Sequence, residues 1–191
     1  VWTNYLRGVL KQLKLKGFKV EGFNCVFSST IPVGSGLSSS AALECGFLFG
    51  LNKLFNLNIK PVDIALMGQS AEHWVGINCG IMDQFSSVMG LENKVIKIDC
   101  RTLEYEYHNA DFNDYSLILF DSNVKHTLMT SAYNERREQC EEGIAIVTNN
   151  FPEITSFRNC TEQHIIELKD VMSAAVYKRS LYVVKEINRV I

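Results

Sequence analysis

"IPVGSGLSSSAALE", residues 31–44, sets two glycines and four serines between a proline and an apolar run. Gly34 and Gly36 can take backbone angles closed to other residues, and they leave room for a ligand to approach the main chain. From Ser39 to Phe55 the pattern turns helical, with Ala41, Ala42, Leu43, Phe47, Leu48, Leu51 and Leu54 on a recurring spacing. The first N–H groups of such a helix have no intrahelical partner, and its dipole is positive at that end. A small-residue loop opening a helix is therefore an anion site, and a nucleotide phosphate fits it. The serine hydroxyls add donors and one candidate Mg2+ ligand. The lysine of G-x-x-x-x-G-K-[ST] is missing, so this is not the common P-loop. Read without a ligand, the same residues make a strand–turn–helix connection with serine N-caps.

Outward from this loop, residues 18–30 (FKVEGFNCVFSST) are β-branched and aromatic and predict a strand, bent at Gly22. Residues 1–15 predict an amphipathic helix stopped by Gly17. Pro61 suits a first helical turn, with Ala65, Leu66 and Ala71 following at helical spacing. "GINCGIMDQF" is too glycine-rich at its start for regular structure. Residues 95–100, 103–108 and 115–121 predict three strands. Residues 131–149 predict a charged helix broken by Pro152, followed by a short helix around 162–168 and a longer one from about 171. Strands and helices on unequal spacing indicate an α+β fold. There is no internal repeat and no low-complexity segment.

The bulk numbers set limits. A chain of 191 residues is expected to form one domain. Hydrophobic residues at 47% and charged residues at 21% fit a globular domain with a real core. The net charge of −2 suggests neither a nucleic-acid partner nor an anionic membrane. No apolar stretch approaches the ~20 residues of a transmembrane helix, and no signal peptide is visible. Cys25, Cys45, Cys79, Cys100, Cys140 and Cys160 form no CxxC pair. They read as buried free thiols in a reducing cytoplasm. The chain starts without a methionine inside one helical pattern and ends inside another, which reads as a fragment. The sequence sets no oligomeric state.

"PVGSGLSSSAALE" resembles the ATP-binding loop of the GHMP kinases, whose form is P-x-G-x-G-L-x-S-S-A. The resemblance implies that Gly34, Ser35, Gly36, Leu37, Ser38, Ser39 and Ser40 wrap the phosphates of ATP, with Ser40 reaching Mg2+. It also implies a ribosomal-protein-S5-domain-2-like mixed sheet with helices packed on one side.

A second stretch, "CGIMDQFSS" (79–87), holds one acid in an apolar setting. An unpaired buried charge is costly, so Asp83 needs a partner or a chemical task. A helix N-cap or a structural salt bridge remains an open reading of the residue alone. The stretch resembles the C-G-I-M-D-Q of the galactokinase subfamily, which implies that Asp83 is the catalytic acid/base and Gly80 a sugar contact. A sugar hydroxyl is a poor nucleophile until a carboxylate accepts or orients its proton.

A third stretch, "SNVKHTLMTSAYNERREQCE" (122–141), resembles the subfamily run N-S-N-x-K/R-H-x-L-x-x-S-x-Y-x-x-R-R-x-Q-C-E. By that likeness Tyr133 is a sugar ligand, and Lys125 and His126 lie near the site. Arg136 and Arg137 are expected on a charged helix face, pairing with Glu141 or Glu142. The subfamily also places a Mg2+-binding glutamate upstream of the aspartate, implying Glu72 here. "AEHWVG" is one residue shorter than the subfamily segment, and one residue of helix turns a side chain by roughly 100°.

The matches run from residue 31 to 141, and "YKRSLYVVKEINRV" (177–190) resembles the subfamily helix that follows. Together they imply transfer of the ATP γ-phosphoryl group to O1 of α-D-galactose. The alternatives are a related kinase for N-acetylgalactosamine or arabinose, and a non-catalytic sensor that binds galactose and ATP. The subfamily's Gly-Glu-His-Thr-Asp signature and C-terminal glycine-rich loop do not occur in the 191 residues. The stretch by itself is therefore expected to be inactive.

Overall fold

The computed structural model describes residues 2–112, 115–120 and 132–190. The chain divides into two compact units, Val1–Met129 and Thr130–Ile191.

The first unit is built on helices α1 (Thr3–Leu15), α2 (Ser39–Leu54), α3 (Pro61–Val75) and α4 (Met82–Met89). Gly17 at φ +79° ends α1, and the amides of Gly17 and Phe18 return to the carbonyls of Lys14 and Leu13. Pro61 opens α3, where its missing N–H costs nothing. Gly76, at φ +101°, closes it. Helix α3 packs against α1, α2 and α4. Val9, Leu13, Cys45, Leu48, Leu51, Ile64, Met67 and Ala71 form the core between α1, α2 and α3. A helix pair as tight as α1 and α3 needs a residue without a side chain. A Cβ on Gly8 would stand 2.8 Å from the Ala71 carbonyl oxygen.

Strands β1 (Lys94–Ile98) and β2 (Tyr105–Asn109) pair antiparallel, with Lys94 opposite Asn109 and Ile98 opposite Tyr105. Ile96, Ile98 and Leu103 pack on Ala65, Ile81 and Phe85, so the hairpin closes over α3 and α4. Phe85 meets Tyr105 edge-on at 5.3 Å between ring centres.

The fold is α+β, as the sequence indicates, with a small antiparallel sheet. The strands expected at 95–100 and 103–108 are β1 and β2. Those expected at 18–30 and 115–121 are not strands over the described residues. A strand is defined by a neighbour that takes its backbone hydrogen bonds, and neither stretch has one among the described residues. Helix α4 begins two residues after Gly80, the second of the glycines that argued against regular structure.

The second unit contains α5 (Ala132–Asn150), a 3-10 turn (Phe157–Asn159), α6 (Glu162–Glu167) and α7 (Ala174–Val190). Val147, Ile154, Cys160, Ile165, Leu168, Met172, Val176 and Val184 form its core. Thr161 and His164 make a reciprocal cap at the start of α6. Arg137 pairs with Glu141 at 2.7 Å along α5, as its spacing predicts. No described helix is long and apolar enough to cross a membrane.

Candidate active site

The loop before α2 carries three left-handed residues in alternation, Gly34 (φ +78°), Gly36 (φ +76°) and Ser38 (φ +56°). Ser38 occupies the N-cap position of α2 yet makes no side-chain cap. The Ser35 hydroxyl turns back on the Pro32 carbonyl at 2.8 Å. Among the described residues no side chain caps the amides that open α2, and Gly34, Ser35, Gly36 and Leu37 are exposed in front of them. Serine capping, the reading that needs no ligand, is not what the side chains do. The arrangement suits an anion that approaches the backbone.

Ser40, in the first turn of α2, faces the last turn of α3. Its hydroxyl donates to Glu72 Oε1 at 2.7 Å. Glu72 is 4% exposed. A carboxylate in that position is desolvated and lies at the negative end of a helix dipole. Three donors offset the cost: Ser40, the Gln84 amide to Oε2 at 2.5 Å, and the Cys79 thiol to Oε2 at 3.5 Å. Helix α3 runs unbroken through Glu72 to Val75. The segment "AEHWVG" is therefore helical up to its closing glycine, Gly76.

Gln84 is fully buried in the first turn of α4, and Asp83 precedes it. Successive helical residues diverge by about 100°, so Gln84 faces inward while Asp83 is left half-buried at the edge. Among the described residues the Asp83 carboxylate makes neither the helix cap nor the ion pair that its sequence left open. Gly80 is exposed two residues before α4, with open space where a Cβ would stand. Tyr133 belongs to the second unit, in the first turn of α5, and is 43% exposed. Lys125 and His126 lie outside the described residues.

Glu44, Gln84 and Cys79 were not singled out from sequence. Glu44 lies one helical turn beyond Ser40, a carboxyl on an otherwise apolar face, and that misfit was the available signal. Burial, followed by the charge of Glu72, pushes its acid up to about 9. Burial and the same two glutamates push the Cys45 and Cys79 thiols up to about 12. All six cysteines are free, but Cys25 and Cys100 are exposed, contrary to the expectation that all are buried.

Ser40 and Glu72 supply two oxygen donors beside an uncapped helix start. A small hard cation held by one carboxylate, one hydroxyl and phosphate oxygens fits that donor set.

Residues 4–91 match the family model described as the GHMP kinases N terminal domain. The chain is 39% identical over 191 residues to a galactokinase of Thermotoga neapolitana, covering 100% of this chain and 52% of the relative. It is 42% identical to a galactokinase of Clostridium beijerinckii, covering 98% of this chain and 49% of the relative. The solved structure of Lactococcus lactis galactokinase complexed with galactose superposes with a TM-score of 0.90 at 32% identity, over 99% of this chain and 49% of that one. The chain spans about half the length of the curated relatives it matches.

Proposed function

We propose that this chain is the nucleotide- and sugar-binding portion of an ATP-dependent galactokinase, which makes galactose 1-phosphate from α-D-galactose. The observation that carries the reading is the Ser40–Glu72 pair at the uncapped start of α2. The galactokinase relatives and the galactose-bound neighbour support the choice of sugar.

Residues 34–40 hold the phosphate oxygens through backbone amides and serine hydroxyls. Ser40 and Glu72 would hold Mg2+, which would supply neutralisation of the phosphate charge. Asp83 accepts the proton of the anomeric hydroxyl while O1 bonds to the γ-phosphorus and the bond to the β-phosphate oxygen breaks, releasing ADP. Gly80 contacts the sugar. Six free thiols suit a reducing cytoplasm.

The test is ATP-dependent phosphorylation by the full-length protein of galactose, N-acetylgalactosamine and arabinose. Galactose is expected to be the preferred substrate, and Asp83→Asn to lower kcat by about 100-fold or more. Preference for another sugar would replace galactose in this reading. Binding of galactose and ATP without turnover would favour a sensor.

A further inference from the structure

Among the described residues, both Glu44 carboxyl oxygens and Gln84 Oε1 are buried without a hydrogen-bond partner. Both side chains are 0% exposed at the centre of the first unit. The Gln84 amide nitrogen is committed, donating to Glu72 Oε2 at 2.5 Å and toward Cys79 Sγ at 3.7 Å. Its oxygen is left as an acceptor without a donor among the described residues, and the Gln84 side chain adjoins Glu44. Such an orphaned atom costs about 1–3 kcal/mol, and one hydrogen bond between the two side chains removes the cost for both. A leucine at position 44 would pack there without any polar debt. The polar pair therefore asks for a role.

We propose that Glu44 and Gln84 are a buried positioning pair: the Glu44 carboxyl donates to Gln84 Oε1 and holds the amide with its NH2 on Glu72 Oε2, leaving Glu72 Oε1 to Ser40 and the cation. The inference rests on the reading that Ser40 and Glu72 hold the nucleotide's Mg2+. With the amide reversed, Gln84 Oε1 would face Glu72 Oε2, two acceptors in contact, and Glu72 would turn from Ser40. The upward shift of the Glu44 acid keeps a proton on it at neutral pH, as donation requires.

The experiment measures Mn2+ binding by electron paramagnetic resonance in the full-length protein with a non-hydrolysable ATP analogue. Glu44→Gln keeps a donor facing Gln84, whereas Glu44→Leu removes it. Glu44→Leu is expected to weaken Mn2+ binding about tenfold and Glu44→Gln to stay within about twofold of wild type, a difference a general loss of packing would not produce. Equal loss in both variants overturns the proposal. So does wild-type binding by Glu44→Leu when Glu72→Gln has lost the ion. If Glu72→Gln itself binds Mn2+ normally, the cation reading fails, and this inference with it. Should Glu44→Leu not fold, Gln84→Met is expected to show the same tenfold loss, and normal Mn2+ binding there is equally contradictory.

Discussion

Ser40 Oγ lies 2.7 Å from Glu72 Oε1 across 32 residues of sequence, and the hydroxyl donates to the carboxylate. The contact joins the first turn of α2 to the last turn of α3. It brings the oxygen donors to the end of α2 where the helix dipole attracts an anion. Under the proposed function a metal-bound phosphate would satisfy both groups at once.

Removing either donor is expected to affect the metal before the sugar. Ser40→Ala or Glu72→Gln in the full-length enzyme should lower kcat about 100-fold, the equivalent of about 3 kcal/mol of transition-state stabilisation. The galactose KM should change little. Steady-state kinetics across a Mg2+ titration checks this, and partial recovery at high Mg2+ is expected for Ser40→Ala.

Gly36→Ala tests the loop. Its φ of +76° is strained for alanine, although no atom lies within 4 Å of the added Cβ. The cost is backbone strain of about 1–2 kcal/mol, so the affinity for ATP should fall about tenfold. Calorimetric titration with ATP measures it, and galactose binding serves as the control.

Gly8→Ala tests the α1–α3 contact. The new Cβ would meet the Ala71 carbonyl oxygen at 2.8 Å and the Ala71 Cβ at 3.1 Å. The helices must separate, at a cost of about 1–3 kcal/mol. The urea midpoint should fall, and an unchanged midpoint would contradict the packing described here.

Glu44 gives stability a pH dependence. Burial and then the Glu72 charge raise its acid from 4.5 to about 9. Glu72, Cys45, Cys79 and Tyr5 are its titratable neighbours, and Gln84 its neutral one. The folded chain keeps a proton that the unfolded chain releases. The associated stability is complete below the unfolded value of 4.5 and is lost as pH rises through about 9. Urea midpoints are expected to decline with pH across that window, and Glu44→Gln should flatten the decline. Equal slopes in the two proteins would contradict a buried neutral Glu44.

The shape of the loop before α2 was legible because Gly34 and Gly36 stand where the backbone turns left-handed. Helices α1, α2 and α3 were legible from apolar residues at helical spacing with Gly17 and Pro61 at their ends, and α5 as a charged run broken by Pro152. The stretches 18–30 and 115–121 carry strand-forming residues, but local preference does not supply the neighbouring chain that makes a strand. Glu72 was named by likeness, whereas its partner Gln84 was hidden: a glutamine beside an aspartate announces nothing until a helix turns one inward and the other outward. Glu44 was passed over because its meaning depends on α3 and α4, which come later in the chain.

The most direct measurement is a crystal structure of the full-length protein with Mg2+, a non-hydrolysable ATP analogue and galactose. The expected result has Mg2+ about 2.1 Å from oxygens of Ser40 and Glu72, phosphate oxygens on the amides of residues 34–40, and the Asp83 carboxylate within hydrogen-bonding reach of the sugar O1. A nucleotide whose phosphates lie away from the start of α2, or a cation that touches neither Ser40 nor Glu72, would contradict it.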